Sequence, residues 1–213
     1  MTRILLGVVL AVAAFAVAAG CSRAEDGPRA TATANGFTRY EVGSTGFSVA
    51  VPDSWMTFEP TDVDPDVADE FIRDNPAFEA YGDIYGPHSP IEFLAVDPAR
   101  APNGFTTTVT VVVLPAPDRF TLDELARSAR GEVERVGGEE IEDERVTLTG
   151  GEAYVISYRL PYRQAGRSMT VAGRQYELIA GGQVFSLTYT TVPAVVDRYD
   201  DTFTRSAESF RAG

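Results

Sequence analysis

Catalysis and ligation need side chains that transfer protons, attack, coordinate or carry charge, and this sequence is sparing with several of them. It holds one histidine, His88, and no lysine: all 18 basic residues are arginine. Without lysine there is no Schiff-base amine, no P-loop phosphate lysine and no serine–lysine dyad. One histidine cannot make a His-pair zinc site. As the base of an acyl-transfer enzyme, His88 would need a serine nucleophile and an orienting acid, and no G-x-S-x-G segment exists to offer that serine. A hydrolase would therefore depend on the fold bringing serine, His88 and a carboxylate together. Paired carboxylates for glycoside cleavage meet in space, not in sequence, and with 31 acidic residues such a pair carries little information. Asp62, Asp64 and Asp66 have the D-x-D-x-D spacing of a calcium loop. However, Val67 stands where that loop needs glycine, Arg73 where it needs glutamate, and Pro65 lies inside it. The three aspartates read instead as the negative start of a helix. No metal and no cofactor is expected.

The single cysteine, Cys21, is a different case. Arg3 precedes an unbroken apolar run, Ile4 to Val17. That run suits a signal-peptide core and is too short for a spanning helix, which needs roughly 20 apolar residues. It ends in Ala18-Ala19-Gly20-Cys21, which resembles the bacterial lipobox. The resemblance implies that the cysteine sulfur is diacylated and that Cys21 becomes the first residue of the mature chain. A plain secretory cleavage beside an incidental cysteine is the competing reading. Two or three acyl chains on one residue anchor firmly where one alone is marginal. The expected location is the outer, extracytoplasmic face of the cell membrane. A sulfur in a thioether can be neither nucleophile nor disulfide partner, so the domain must hold by packing alone.

Residues 21–213 suit a single domain with a substantial core. A hydrophobic fraction of 44% with 10% aromatics is globular composition. The formal charge of −13, one unit more negative once Arg3 is removed, opposes binding to nucleic acid or anionic headgroups. Nucleic acid is therefore not an expected partner.

The elements must position whatever chemistry remains. After the signal peptide (1–20), residues 21–36 carry no large apolar side chain and read as a lipidated cysteine and flexible tether. One domain is expected over 37–213. Arg39–Val42 and Phe47–Val51 flank Gly43-Ser44-Thr45-Gly46 as a hairpin. Pro52-Asp53-Ser54-Trp55 then turns out of the sheet, with Trp55 plugging the core edge. Asp64-Pro65 starts a helix with Val67, Ala68, Phe71 and Ile72 on its apolar stripe, and Asn75-Pro76 restarts a short second one. Ile91–Asp97 and the β-branched Phe105–Leu114 are strands, the second central. Thr121 to Glu124 is a capping box, Phe120 and Leu125 a hydrophobic staple, and Gly137-Gly138 the helix end. Strands follow near Ile141–Leu148, Ala153–Leu160, Ser168–Ala180 and Val184–Thr191, with tight turns at Gly150-Gly151 and Gly181-Gly182. A helix opening at Pro193 closes the chain. Two-residue turns make neighbouring strands antiparallel. The expectation is an α+β fold: an αβα sandwich whose central, mainly antiparallel sheet is flanked by helices.

The run Gly46-Phe47-Ser48-Val49-Ala50-Val51-Pro52-Asp53-Ser54-Trp55 resembles the opening of PsbP-like and Mog-like domains. Gly150-Gly151-Glu152-Ala153 is similar to a later turn of theirs. The close, Gly181-Gly182 into Val184–Tyr189 and then an amphipathic helix ending at Ser209-Phe210, is similar too. With the lipobox, the whole looks like the LpqN/LpqT group of actinobacterial lipoproteins. The resemblance implies an antiparallel sheet between helices and a binding or accessory role in the envelope. It brings no catalytic motif.

The candidate binding segment is the Tyr81–Pro90 loop, with Tyr81, Asp83, Tyr85 and His88 as its contact residues. Tyrosines offer an apolar body with a polar tip, and loops at sheet ends often carry function. The other reading is a lid whose tyrosines pack on Trp55. The acidic run Glu139, Glu140, Glu142, Asp143 and Glu144 reads as protection of a strand edge, or less simply as a site for a cationic partner. The expected function is a monomeric, non-catalytic module binding an envelope protein, lipid or glycan. A hydrolase and a structural spacer are the alternatives. An apolar cleft or exposed aromatic patch would mark the binding module.

Overall fold

The computed structural model describes residues 28–33, 35–43, 45–58, 73, 90–101, 104–164 and 166–213. Two antiparallel sheets carry the fold. The larger is built from β4 (Met56–Phe58), β5 (Ile91–Arg100), β6 (Thr106–Pro115), β7 (Glu139–Leu148), β8 (Gly151–Gln164), β9 (Arg167–Ala180) and β10 (Gln183–Thr191). Its order is β4-β5-β6-β10-β9-β8-β7. The smaller joins β1 (Arg29–Ala32), β2 (Phe37–Val42), β3 (Phe47–Pro52) and β11 (Arg211–Ala212) in the order β1-β2-β3-β11.

Each helix covers a different face of the larger sheet. Helix α1 (Leu122–Arg135) packs over β7, β8 and β9. Leu125, Ala129 and Val133 point down its buried stripe onto Ile156, Leu160 and Val171. The capping box forms as the sequence predicts: Thr121 Oγ1 accepts from the Glu124 backbone N–H, and the Thr121 backbone N–H donates to Glu124 Oε2 at 2.9 Å. Helix α2 (Val196–Glu208) follows a 3₁₀ turn at Pro193–Val195 and lies on the opposite face together with β2 and β3. There Phe47, Phe185 and Phe210 cluster with ring centroids 5.2–5.9 Å apart. Tyr189 donates to Ser206 Oγ, and Ser206 donates to the Ala50 carbonyl at 2.7 Å, tying β10 through α2 to β3. Trp55 is buried against Tyr199, as expected of a residue closing the core edge.

The α+β architecture agrees with the sequence reading, with local differences. Arg29–Ala32, assigned to the tether, pair with β2 as strand β1; all four are exposed, so the pairing is backbone-driven and adds nothing to the core. The β4 and β11 strands have too few residues to show an alternating pattern. The β8 strand runs on through Pro161 to Gln164 because it continues to pair with β9. The Gly181-Gly182 turn holds φ values of +57° and +76°, which any side chain would strain. The helices expected from Asp64 and Asn75 lie outside the described residues. Among the described residues, no helix is long and apolar enough to cross a membrane.

Candidate functional site

Neither site proposed from sequence motifs falls within the described residues: Cys21, and the loop residues Tyr81, Asp83, Tyr85 and His88, all lie outside them, as do Asp62, Asp64 and Asp66. Among the described residues, no three His, Cys, Asp or Glu side chains are arranged to hold a metal. Two other features stand out, one on each face of the larger sheet.

On the α2 face, the helix leaves the outer strands partly uncovered. A groove of about 310 Å³ runs there, floored by Val146, Leu148, Val155 and Tyr176 and walled by Asp200, Thr204 and Glu208 of α2. Arg174 stands in its middle, donating to Asp200 Oδ1 at 2.5 Å and to Thr204 Oγ1 at 3.4 Å. A second depression of about 200 Å³ shares Ser157 and Arg174 with the first and extends it to Glu140, Glu142 and Arg159. Five carboxylates and two arginines line the combined cleft. Both arginines are paired, to Asp200 and to Glu140, so the rim is net negative over an apolar floor. The acidic run is on β7, the edge strand of the sheet, where the sequence reading places it. Glu140 takes a φ of +50° within an irregular stretch of pairing, so a bulge and charge guard the same edge.

The α1 face is unusual in another way. Strand alternation there puts polar side chains inward on three central strands. Thr106, Thr108 and Thr110 of β6, Ser186, Thr188 and Thr190 of β10, and Gln175 and Glu177 of β9 are all buried. Register aligns them into rows: Thr108 beside Thr190, Thr110 beside Thr188 and then Gln175, Ser186 beside Glu177. At the spacing of paired strands, the patch spans roughly 10 Å by 13 Å. Tyr158 of β8 ends the first row by lying across Gly173. A Cβ on that glycine would sit 2.1 Å from the tyrosine ring, so only glycine permits the approach.

Part of this patch satisfies itself. Gln175 Nε2 donates to Glu177 Oε1 at 2.5 Å and to Ser186 Oγ at 3.0 Å, and Ser186 Oγ donates to Glu177 Oε1 at 2.7 Å. Six oxygens have no partner among the described residues: Thr108 Oγ1, Thr188 Oγ1, Thr190 Oγ1, Tyr158 Oη, Gln175 Oε1 and Glu177 Oε2. Left unpaired, each would cost about 1–3 kcal/mol, together a sum comparable to the ~5–15 kcal/mol net stability of a domain. Burial pushes the Glu177 carboxyl up to about 8, against the Ser186 and Gln175 hydrogen bonds that favour its ionised form. It also raises the Tyr158 hydroxyl, helped by the charge of Glu177.

Sequence reasoning passed over this patch. Its signal was there: Thr106-Thr108-Thr110 and Ser186-Thr188-Thr190 repeat at period two, the second series alternating with Leu187 and Tyr189. Such alternation ordinarily marks a solvent-facing side, and only burial separates the two meanings.

No protein-family model and no curated protein matches this sequence. Solved structures match in shape. The solution structure of the cyanobacterial PsbP protein CyanoP from Synechocystis sp. PCC 6803 superposes with a TM-score of 0.53 at 14% identity, covering 86% of this chain and 98% of that one. The crystal structure of LpqN of Mycobacterium tuberculosis, involved in cell envelope biogenesis, gives 0.50 at 16% identity, covering 82% of this chain and 89% of the other. The chain therefore has a PsbP/LpqN-like fold, the one that the sequence resemblance implies.

Proposed function

We propose that this protein is a lipid-anchored, non-catalytic binding module of the cell envelope, an actinobacterial lipoprotein of the LpqN/LpqT type held through Cys21 at the outer face of the membrane. The observation that carries the binding role is the cleft between α2 and strands β7–β9: an open apolar floor with a charged rim, the form expected of a recognition surface. The lipobox-like Ala18-Ala19-Gly20-Cys21 supports the anchor. The fold shared with LpqN, a protein involved in cell envelope biogenesis, supports the setting. The partner is an envelope protein, lipid or glycan that lays an apolar surface on Val146, Leu148 and Tyr176 and meets Arg174 and the acidic rim with polar groups.

The test is photocrosslinking in native membranes with a photoreactive side chain at Glu144, on the cleft, and at Arg127, on the exposed side of α1. Adducts are expected from position 144 alone. Thr204→Trp, which fills the cleft from α2, should reduce them at least tenfold with the fold preserved. Equal adducts from both positions, or no effect of the tryptophan, would remove the cleft as the recognition surface. Turnover of an ester, amide or glycoside that is lost with His88→Ala would replace the binding module with a hydrolase.

A further inference from the structure

We infer that the cleft between α2 and strands β7–β9 takes a basic segment of a partner protein, one that lays apolar side chains on the floor and offers arginine or lysine to the rim. This rests on the role proposed for the cleft and names the chemistry of its occupant. Register decides which charges face it. Glu142 pairs with Ser157, and Glu144 with Val155 and thence Tyr176, so both glutamates share the floor's side of the sheet. Asp143 and Arg145 alternate with them and face α1. The two sides differ in how their charges are met. Toward α1, Asp143 is ion-paired with Arg130 and Arg145 with Asp123. Toward the cleft, Glu142 and Glu144 have no ion-pair or hydrogen-bond partner among the described residues, and neither has Glu208 on the α2 wall. Protection of the β7 edge accounts for Glu142 and Glu144. It does not account for Glu208, which a helix brings to the same groove from the opposite wall.

Carboxylates at neutral pH accept hydrogen bonds and donate none. The arginines of the cleft are already engaged, Arg174 by Asp200 and Arg159 by Glu140. An anionic partner would have to displace those two acids and face three more. A neutral partner would cover the rim carboxylates without matching their charge. A guanidinium or ammonium on an apolar stem suits both parts of the surface: the stem lies along Val146 and Leu148 while the head reaches the rim. A guanidinium can also hold two carboxylate oxygens in one planar fork. From β7 to β9 the floor spans roughly 10 Å, about the diameter of one helix with its side chains, so it admits one chain segment rather than a broad folded face. The net charge of −13 draws such segments toward the protein as a whole.

Fluorescence anisotropy with the full-length protein in non-ionic detergent tests this, empty micelles serving as the baseline. The probe is a labelled synthetic peptide of alternating valine and arginine. A valine–glutamate peptide is its charge-reversed comparison and a serine–arginine peptide its polar one. Saturable binding of the valine–arginine peptide is expected, several-fold weaker binding of the serine–arginine peptide, and none of the valine–glutamate peptide. Glu142→Gln with Glu208→Gln, one from each wall, should weaken binding by about tenfold. Glu41→Gln with Asp118→Asn removes the same charge from exposed positions outside the cleft and should leave binding nearly unchanged. Both variants should melt cooperatively. The assignment falls if the cleft variant binds like the wild type, if the outside variant loses as much, or if the valine–glutamate peptide binds equally well. Competition in native membranes separates this failure from failure of the cleft itself. Adducts from position 144 that excess valine–arginine peptide leaves in place, or that prove to be lipid or glycan, overturn the basic segment alone. Absence of adducts from position 144 removes the cleft as the recognition surface and this assignment with it.

Discussion

At Glu177 the folded and unfolded states prefer different protonation, because the folded carboxyl has no exposure to water and only neutral hydrogen-bond donors around it. The folded group titrates at about 8 against an ordinary value of 4.5. Between those pH values the native protein holds a proton that the unfolded chain has lost, so the contribution of Glu177 to stability is greatest below about 4.5 and falls as pH rises toward 8. The slope approaches about 1.4 kcal/mol per pH unit. Glu177→Gln fixes the neutral form. Urea denaturation from pH 5 to pH 9 should show the variant gaining on the wild type up to about pH 8 and then levelling off. A constant difference across that window would mean that Glu177 is ionised in the folded protein.

At the scale of elements, α1 is held at its start by one reciprocal pair of bonds between Thr121 and Glu124. It is braced at its flank where Tyr154 and Arg145 both donate to Asp123. Thr121→Ala removes the cap and should cost about 1 kcal/mol, read as a lower urea midpoint with an unchanged slope. No loss would mean that α1 is positioned by packing alone. The β7 edge makes the opposite kind of demand, since its role is to avoid contact. Its backbone would offer a template to another chain were it not for the bulge at Glu140 and the exposed carboxylates along it. Replacing Glu139, Glu142 and Glu144 together with threonine should leave the fold intact and promote concentration-dependent association in sedimentation velocity experiments. A variant as monomeric as the wild type would show that the bulge alone protects this edge.

At the scale of the molecule, the anchor proposed at Cys21 precedes the strand Arg29–Ala32 and the acidic domain that follows it. Cys21→Ala should shift the protein from the detergent to the aqueous phase in detergent partitioning; a variant that partitions like the wild type would put the anchor elsewhere. The sequence by itself determined the elements with strong local causes. The capping box of α1 depends on residues three apart, and the Gly181-Gly182 turn on backbone freedom. The β-branched run of β6 favours a pleated strand wherever it lies. From these the antiparallel α+β class followed. Tertiary structure alone decided the rest. Strands as short as Met56–Phe58 and Arg211–Ala212 exist only because a partner strand is there to pair with them. The cleft exists because α2 sits toward β3 and β10 and leaves the outer strands open, a matter of where a helix docks rather than what it contains. The threonines of β6 and β10 would suit a wet surface equally well. Burial, a long-range property that no window of sequence reports, makes them part of the interior.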